Sequence, residues 1–480
     1  MNDKNAMKMP PKGLAVLALV GPGLVWCSEM IGSGEVILST RAGAILGTNI
    51  MWAVALVILL KCWIGIGGAR YTVCTGEGMI DMFDRIPGPR HWVVWIVFVA
   101  QFLFAMVATA SIASASGAFL NSMIPALPAK FGGGIISILA LIVVWPGKFD
   151  ILKKIMGLFV AVMIIGVVYV SLRLFPGWRS FFEGFLFKIP EVPKWAIDTA
   201  NASPNALREM LPLMGWAAGG FASQVWYTYW VLGAGYGLAA GRGYGKPADT
   251  ESLKKLDGDT ARKLKGWCSV VSTDAGIAMV ITVILTLSFV IAGAVVLGTN
   301  ELAPEDQDVA ITLSKIFSSQ WGQVGGFLFL LTGTIALMST LTGQLAGWPR
   351  LLADAFRICV PKVSKKLSWK VQFRAFLIFF FTTNIIIGYA LGLKPVLMVK
   401  MGGMLEGLLL TPLQALWVAV GLFVVLPKLL SKEAYAILKP HWSLAAILLA
   451  AFLLLGYFCV SQMPGALKEV WTLLVHSQGA

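Results

Sequence analysis

Hydrophobic residues come in long blocks, each about the length needed to cross a bilayer as a helix, parted by short polar intervals. The blocks predict eleven membrane spans at about 14–44, 49–68, 92–120, 132–146, 155–175, 210–240, 268–298, 323–347, 375–392, 395–427 and 442–462. Two of them are interrupted. The first carries Gly32-Ser33-Gly34 in its middle, and the sixth carries Gly219-Gly220-Phe221-Ala222-Ser223-Gln224. Glycine weakens a helix, and backbone groups freed inside a bilayer survive only where protein or a watery cavity meets them. The interrupted spans stand five apart, so each opens a five-span half, and an odd number of spans inverts one half relative to the other. Paired broken helices in inverted halves point to a midplane site of a carrier.

This pattern divides the chain into an arm (1–13), a first five-helix repeat (14–175), a loop (176–209), a second, inverted repeat (210–427), and an eleventh helix with tail (428–480). The fold class expected is all-α and polytopic. Composition agrees, with 58% hydrophobic and only 13% charged residues among 480, far from the balance of a soluble domain. The net charge of +14 resides in particular loops, not in one basic domain, which reads as the positive-inside rule and excludes a nucleic-acid partner. An N-terminal arm holding Lys4, Lys8 and Lys12, basic loops after the even spans and an acidic loop at Glu301, Glu305, Asp306 and Asp308 put the N-terminus in the cytoplasm and the C-terminus outside. The expected setting is a plasma (inner) membrane, with a monomer in a lipid bilayer. The apolar start is too long for a cleaved signal. Six scattered cysteines without C-x-x-C spacing read as core residues.

Candidate chemistry gathers at the breaks. Glu29 lies one turn before Ser33, and the first half-helix ends beside them with its negative dipole end and freed carbonyls, an arrangement that attracts cations. A carboxylate there can equally bond a neighbouring helix. Glu35 begins the second half-helix, where a capping or gating role competes with a ligand role. The second break offers Ser223 and Gln224, then Trp226, Tyr227, Tyr229 and Trp230, which either pack or wrap an organic cation. Asp274 and Glu406 are further acids within spans, and an acid there is a functional candidate by default; for Asp274, near a span end, interfacial exposure is the competing reading. Met401 and Met404 offer thioethers, or are filler. Lys61, inside the second span, is placed to reach an interface by snorkelling. The three histidines (91, 441, 476) fall at span ends or outside them, and no H-E-x-x-H motif is present. No cofactor and no enzymatic activity are expected.

Several stretches together resemble the Nramp family of proton-coupled divalent-metal transporters. They are Gly21-Pro22, Arg41-Ala42-Gly43-Ala44, Ala69-Arg70 with Thr75-Gly76, Asp274 to Met279, and most specifically Ser339 to Gly347. The resemblance implies the LeuT-type fold of two inverted five-helix repeats plus an eleventh helix. The site motifs depart from it. Gly32-Ser33-Gly34-Glu35 stands where the family has Asp-Pro-Gly-Asn, and Ala222-Ser223-Gln224 where it has Met-Pro-His. Tyr229 replaces a second histidine, and Thr109 and Ile112 fall near the family's third-span acids. The resulting expectation is a secondary carrier moving a divalent cation by alternating access. Its substrate site comprises Glu29, Gly32, Ser33, Gly34, Glu35, Ala222, Ser223, Gln224, Trp226 and Tyr229. Within it, Glu29, Glu35 and Gln224 replace the lost ligands as an all-oxygen metal set, and Thr109, Asp274, Met401 and Glu406 serve coupling or gating. The alternative is a small organic cation or other polar solute on the same fold.

Overall fold

The computed structural model describes residues 7–476 apart from 12, 14, 17–20, 307 and 392–393. Lys4 and Lys12 of the arm, the expected start of the first span at 14, and Leu393 between the ninth and tenth spans lie outside the described residues. Every regular element among the described residues is helical. Seven helical stretches are long and apolar enough to cross a membrane: Gly34–Thr75, Trp92–Met123, Gly258–Asn300, Val309–Cys359, Trp369–Tyr389, Pro395–Leu429 and Trp442–Ser461. The protein is an integral membrane protein. Helices also occupy the remaining expected ranges, as the broken pieces Pro22–Met30, Ala206–Trp216 and Phe221–Ala234 and the unbroken Ala129–Val144 and Phe149–Arg173.

Both interruptions are real, and each has a local cause. The first half-helix stops at Met30, where Ile31 turns out of helical geometry, and the chain resumes as a π-helical segment, Gly34–Ser39, that runs into Thr40–Leu46. At Gly32 a side chain would collide with the Thr340 hydroxyl, so only glycine lets the eighth span approach this closely. The sixth span breaks a few residues earlier than expected, over 217–220. Ala218 and Gly219 both take positive φ, at 59° and 69°, which for an alanine is costly. Ala222, Ser223 and Gln224 therefore sit in the first turns of the second half-helix, not in the break.

Packing is set by small residues. In the third span Gly117 lies against the Ala129 carbonyl and Gly133 against that of Ala113, so the third and fourth spans touch backbone to backbone. The tenth span is wound as π-helix over Gly403–Leu408, and Gly215, Gly403 and Gly407 bring it onto the first half of the sixth span. Several boundaries shift. The second span runs on past its expected end at 68 to Thr75, and the seventh starts at Gly258, taking Arg262 to Lys265 into the helix. The eighth extends over Val309–Cys359, with a kink at Trp321 and Gly322. Arg350, expected in a basic cytoplasmic loop, is instead a buried part of that helix, its guanidinium 4.8 Å from the centre of the Phe373 ring. Beyond the eleventh span the chain adds a helix at Met463–His476, tied by Glu469 to Arg208 at 2.8 Å. No element is expected there from the sequence, because its apolar run is too short to span a bilayer.

Candidate substrate site

The two breaks face each other across a cavity of about 20 Å³ lined by Glu29, Met30, Ser33, Gly34, Trp216, Gly219, Gly220, Trp226, Thr340, Gln344 and Glu406. That is room for one water molecule or ion. Its polar lining is buried, with Glu29, Ser33, Gln344 and Glu406 each exposed by 5% or less. A far larger groove of about 350 Å³ lies between the third, fourth and ninth spans, but it is lined mainly by apolar residues such as Ile138 and Ile385 and touches neither break.

Each carboxylate is held differently. Glu29 comes from the end of the first half-helix and accepts a hydrogen bond from the Ser223 hydroxyl at 2.7 Å; Trp26 donates to the same hydroxyl at 3.0 Å and stacks on Tyr227 at 4.3 Å. Its Cβ and Cγ lie against Gly343. Glu406 comes from the π-helical part of the tenth span. It accepts from the Ala222 amide at 2.9 Å, at the positive end of the second sixth-span half-helix, and from the Trp216 indole at 3.2 Å. Glu35 bends back to the Gly32 amide at 3.2 Å, and its other oxygen is buried without a partner. The Ser33 hydroxyl and the Gln344 side-chain oxygen are likewise unpartnered. Buried polar atoms left unpaired cost free energy, and these three lie close together at the first break and the cavity.

Other freed groups are already answered. The carbonyls of Ser28 and Glu29, expected to open into the site, accept from Ser339 and Thr340 at 2.7 and 2.9 Å. This accounts for the polar Ser339-Thr340 pair and for Gly343 in the eighth span. Gln224 is turned toward the sixth-span break, donating to the Ala218 carbonyl at 2.9 Å, and does not line the cavity. Lys61 does not snorkel. It is fully buried and donates to the carbonyls of Gly215, Ala217 and Gly219.

Among the remaining candidates, Trp226 lines the cavity while Tyr229 points away, its hydroxyl donating to Asp354 at 2.8 Å. Asp274 caps the first half-helix, accepting from the Gly21 and Gly23 amides at 3.0 and 2.6 Å and from Tyr227 at 2.9 Å, so interfacial exposure does not describe it. Thr109 bonds within its own helix to Ala105 at 2.8 Å. Met404 is buried beside Glu209 and Lys400, while Met401 is partly buried against the core; neither lines the cavity. Among the described residues no group of three or more His, Cys, Asp or Glu side chains is placed to hold a metal. Glu29, Glu35 and Gln224 therefore do not form a closed set. Trp216, Thr340, Gln344 and Met30 were missed from sequence. Thr340 and Gln344 carried a signal, since polar residues four apart share one helix face.

Two ion-pair clusters lie apart from the cavity lining. Arg41 pairs with Glu209 at 2.8 Å and with Glu305, donates to the Ala200 carbonyl at 2.6 Å, and Lys400 reaches Glu209 at 3.5 Å. Burial pushes the loop carboxyls of Glu305 and Asp306 up from their ordinary range. In the second cluster Arg357 pairs with Asp81 at 2.6 Å and Asp354 at 3.5 Å, joining the hairpin after the second span to the eighth.

Comparison with known proteins places this geometry. The Nramp family model, described as natural resistance-associated macrophage protein-like, matches residues 23–201. A protein of Pasteurella multocida (strain Pm70), the uncharacterized protein PM0681, is 24% identical over 222 residues, 45% of this chain and 47% of its own length. The chain thus spans about half the length of that relative. A manganese transporter from Eremococcus coleocola superposes with a TM-score of 0.63 at 13% identity, covering 99% of this chain and 98% of that one. MhsT, solved with L-phenylalanine, superposes at 0.52 with 13% identity, over 95% of this chain and 100% of its own. The chain resembles the Nramp family over residues 23–201 and has a LeuT-type fold.

Proposed function

We propose that the protein is a secondary carrier that moves a small cation, a divalent metal foremost, by alternating access between the two helix breaks. The observation that carries this reading is the cavity of about 20 Å³ holding Glu29 and Glu406 together with the unpartnered oxygens of Ser33 and Gln344. A desolvated cation needs several oxygen donors at close range, and a space of one water excludes an organic solute from this closed form. The donor set favours hard ions such as Mg²⁺, Ca²⁺ and Mn²⁺. Met30 also lines the cavity and adds one soft thioether to the oxygen donors. The resemblance to Nramp proteins supports a metal as cargo. Glu29 and Glu406 are the proposed ligands, with Glu35 adjusting the first break.

In this scheme the Arg41–Glu209–Glu305 cluster is the outer gate and the Asp81–Arg357–Asp354 cluster the inner one. The cytoplasmic N-terminus follows from the loop charges, and the five-plus-five division makes the two halves rock about the site. Release requires one gate to open, which also widens the cavity.

A second reading keeps the fold and exchanges the cargo for a small organic cation. Trp216 and Trp226 favour it, because both indoles wall the cavity and a wider open form would present their faces. Uptake of Mn²⁺, Mg²⁺ and Ca²⁺ into proteoliposomes separates the readings. Metal entry lost in Glu29→Ala supports the first. Absence of entry for all three ions, from protein shown to be folded, overturns it and moves the search to organic solutes.

A further inference from the structure

The sixth-span break contains a second cation site, and the chain fills it with its own side chain. Where the half-helix Ala206–Trp216 ends, its last carbonyls have no intrahelical partner. In transporters built from broken helices such carbonyls hold a coupling ion. Here one of them, on Gly215, converges with the carbonyls of Ala217 and Gly219 in the break on Lys61 Nζ, the latter two at 3.2 and 2.9 Å. An ammonium has three N–H donors and no acceptor, so the match is complete. Lys61 is fully buried, and Glu406 and Glu35 are the charged groups whose fields reach it. Among the described residues the other titratable neighbour is the Cys459 thiol, which donates to the Leu408 carbonyl at 3.5 Å.

We propose that Lys61 is a tethered monovalent cation, occupying a three-carbonyl cage that would otherwise bind an inorganic one. The ammonium arrives on the second span, so its charge stays with the protein through every cycle. The cage therefore takes up no dissociable co-ion, and the break keeps its shape whatever the salt. The inference concerns a site separate from the Glu29 cavity and does not depend on what that cavity carries.

The test uses the purified full-length protein in detergent and reads unfolding temperature. Ammonium, potassium or sodium chloride is compared with choline chloride at equal ionic strength. Wild type is expected to be indifferent to the choice. Lys61→Ala leaves three carbonyls facing an emptied pocket, so it unfolds several degrees lower in choline and recovers a saturable part of the loss with ammonium, the closest mimic of Nζ. A folded Lys61→Ala protein that responds to none of the three ions, or a stabilisation of the Lys61-containing protein by one of them that persists in Glu29→Gln, overturns the proposal. Should Lys61→Ala not fold in any salt, wild type decides through amine labelling mapped by mass spectrometry together with Rb⁺ binding. A protected Lys61 with no saturable Rb⁺ binding upholds the tethered cation. Labelling of Lys61 in folded protein, or stoichiometric Rb⁺ binding that persists in Glu29→Gln, refutes it.

Discussion

The two helix breaks are built from similar parts and end in opposite conditions. In the first, Ser33 and Glu35 keep oxygens with no partner, and only the carbonyls of Ser28 and Glu29 are answered by the eighth span. In the sixth, Lys61, Gln224 and Glu406 bond the freed backbone groups almost completely. One break keeps unpaired side-chain oxygens beside its carboxylates, while the other has its freed carbonyls answered from within the chain and leaves only the Gln224 side-chain oxygen unpaired on its first turns. Unfinished bonding beside carboxylates is what a ligand site needs, while saturation is what a load-carrying joint needs. Pseudo-symmetry of fold thus does not carry over into symmetry of role.

That contrast can be broken most severely at Glu29. Glu29→Gln keeps the Ser223 hydrogen bond within reach but removes the charge. Proteoliposome metal uptake is expected to fall by roughly 100-fold, the equivalent of about 2.8 kcal/mol of binding, and a rate within twofold of wild type would remove Glu29 from the site. The next effect is expected on the saturated side. Gly220→Ala places a methyl group on the Glu406 carboxylate, an overpacking that costs about 1–3 kcal/mol. The unfolding temperature should drop by several degrees, whereas an unchanged value would mean the joint is looser than its contacts indicate.

Glu35 sharpens the comparison further. It does not line the cavity: one of its oxygens holds the Gly32 amide, so it acts on ion binding through the shape of the first break. Glu35→Gln should weaken metal affinity by about tenfold, near 1.4 kcal/mol, with little change in unfolding temperature. The reverse outcome, lost stability with affinity intact, would make Glu35 a cap and leave the first break as closed as the sixth. The smallest effect belongs to Tyr229→Phe, which removes one hydrogen bond to Asp354 away from the cavity. A stability loss of about 1 kcal/mol with uptake unaltered is expected, and abolished uptake would bring the aromatic half of the sixth span back into the site.

Much of the architecture was legible because a bilayer demands it. Apolar blocks of spanning length, loop charges and glycine pairs within spans each answer to a rule that acts locally along the chain. The break at Gly32 and the general place of the sixth-span break were readable for this reason. Roles at the site were less so. Gln224 looked like a ligand, yet its amide turns to a carbonyl of its own break. Lys61 looked like a snorkelling residue, because a lysine near a span end and one aimed at a neighbouring broken helix have the same local sequence. Asp274 was readable as an acid in a span, but its partners, the amides of Gly21 and Gly23, lie far back in the chain.

From the residues alone came the membrane, the helical class, the two interruptions, the likeness to Nramp and the loss of that family's metal motif. Each depends on composition or on short stretches, where the energy of burying or freeing a backbone group is decided by near neighbours. Only the tertiary structure decided which oxygens remain open. Glu406, Gln344 and Thr340 reach the first break from helices hundreds of residues away, and whether a buried polar atom is bonded or waiting depends on what packing brings against it. A single extra contact, such as Lys61 on the sixth-span carbonyls, changes a candidate ion site into a closed joint.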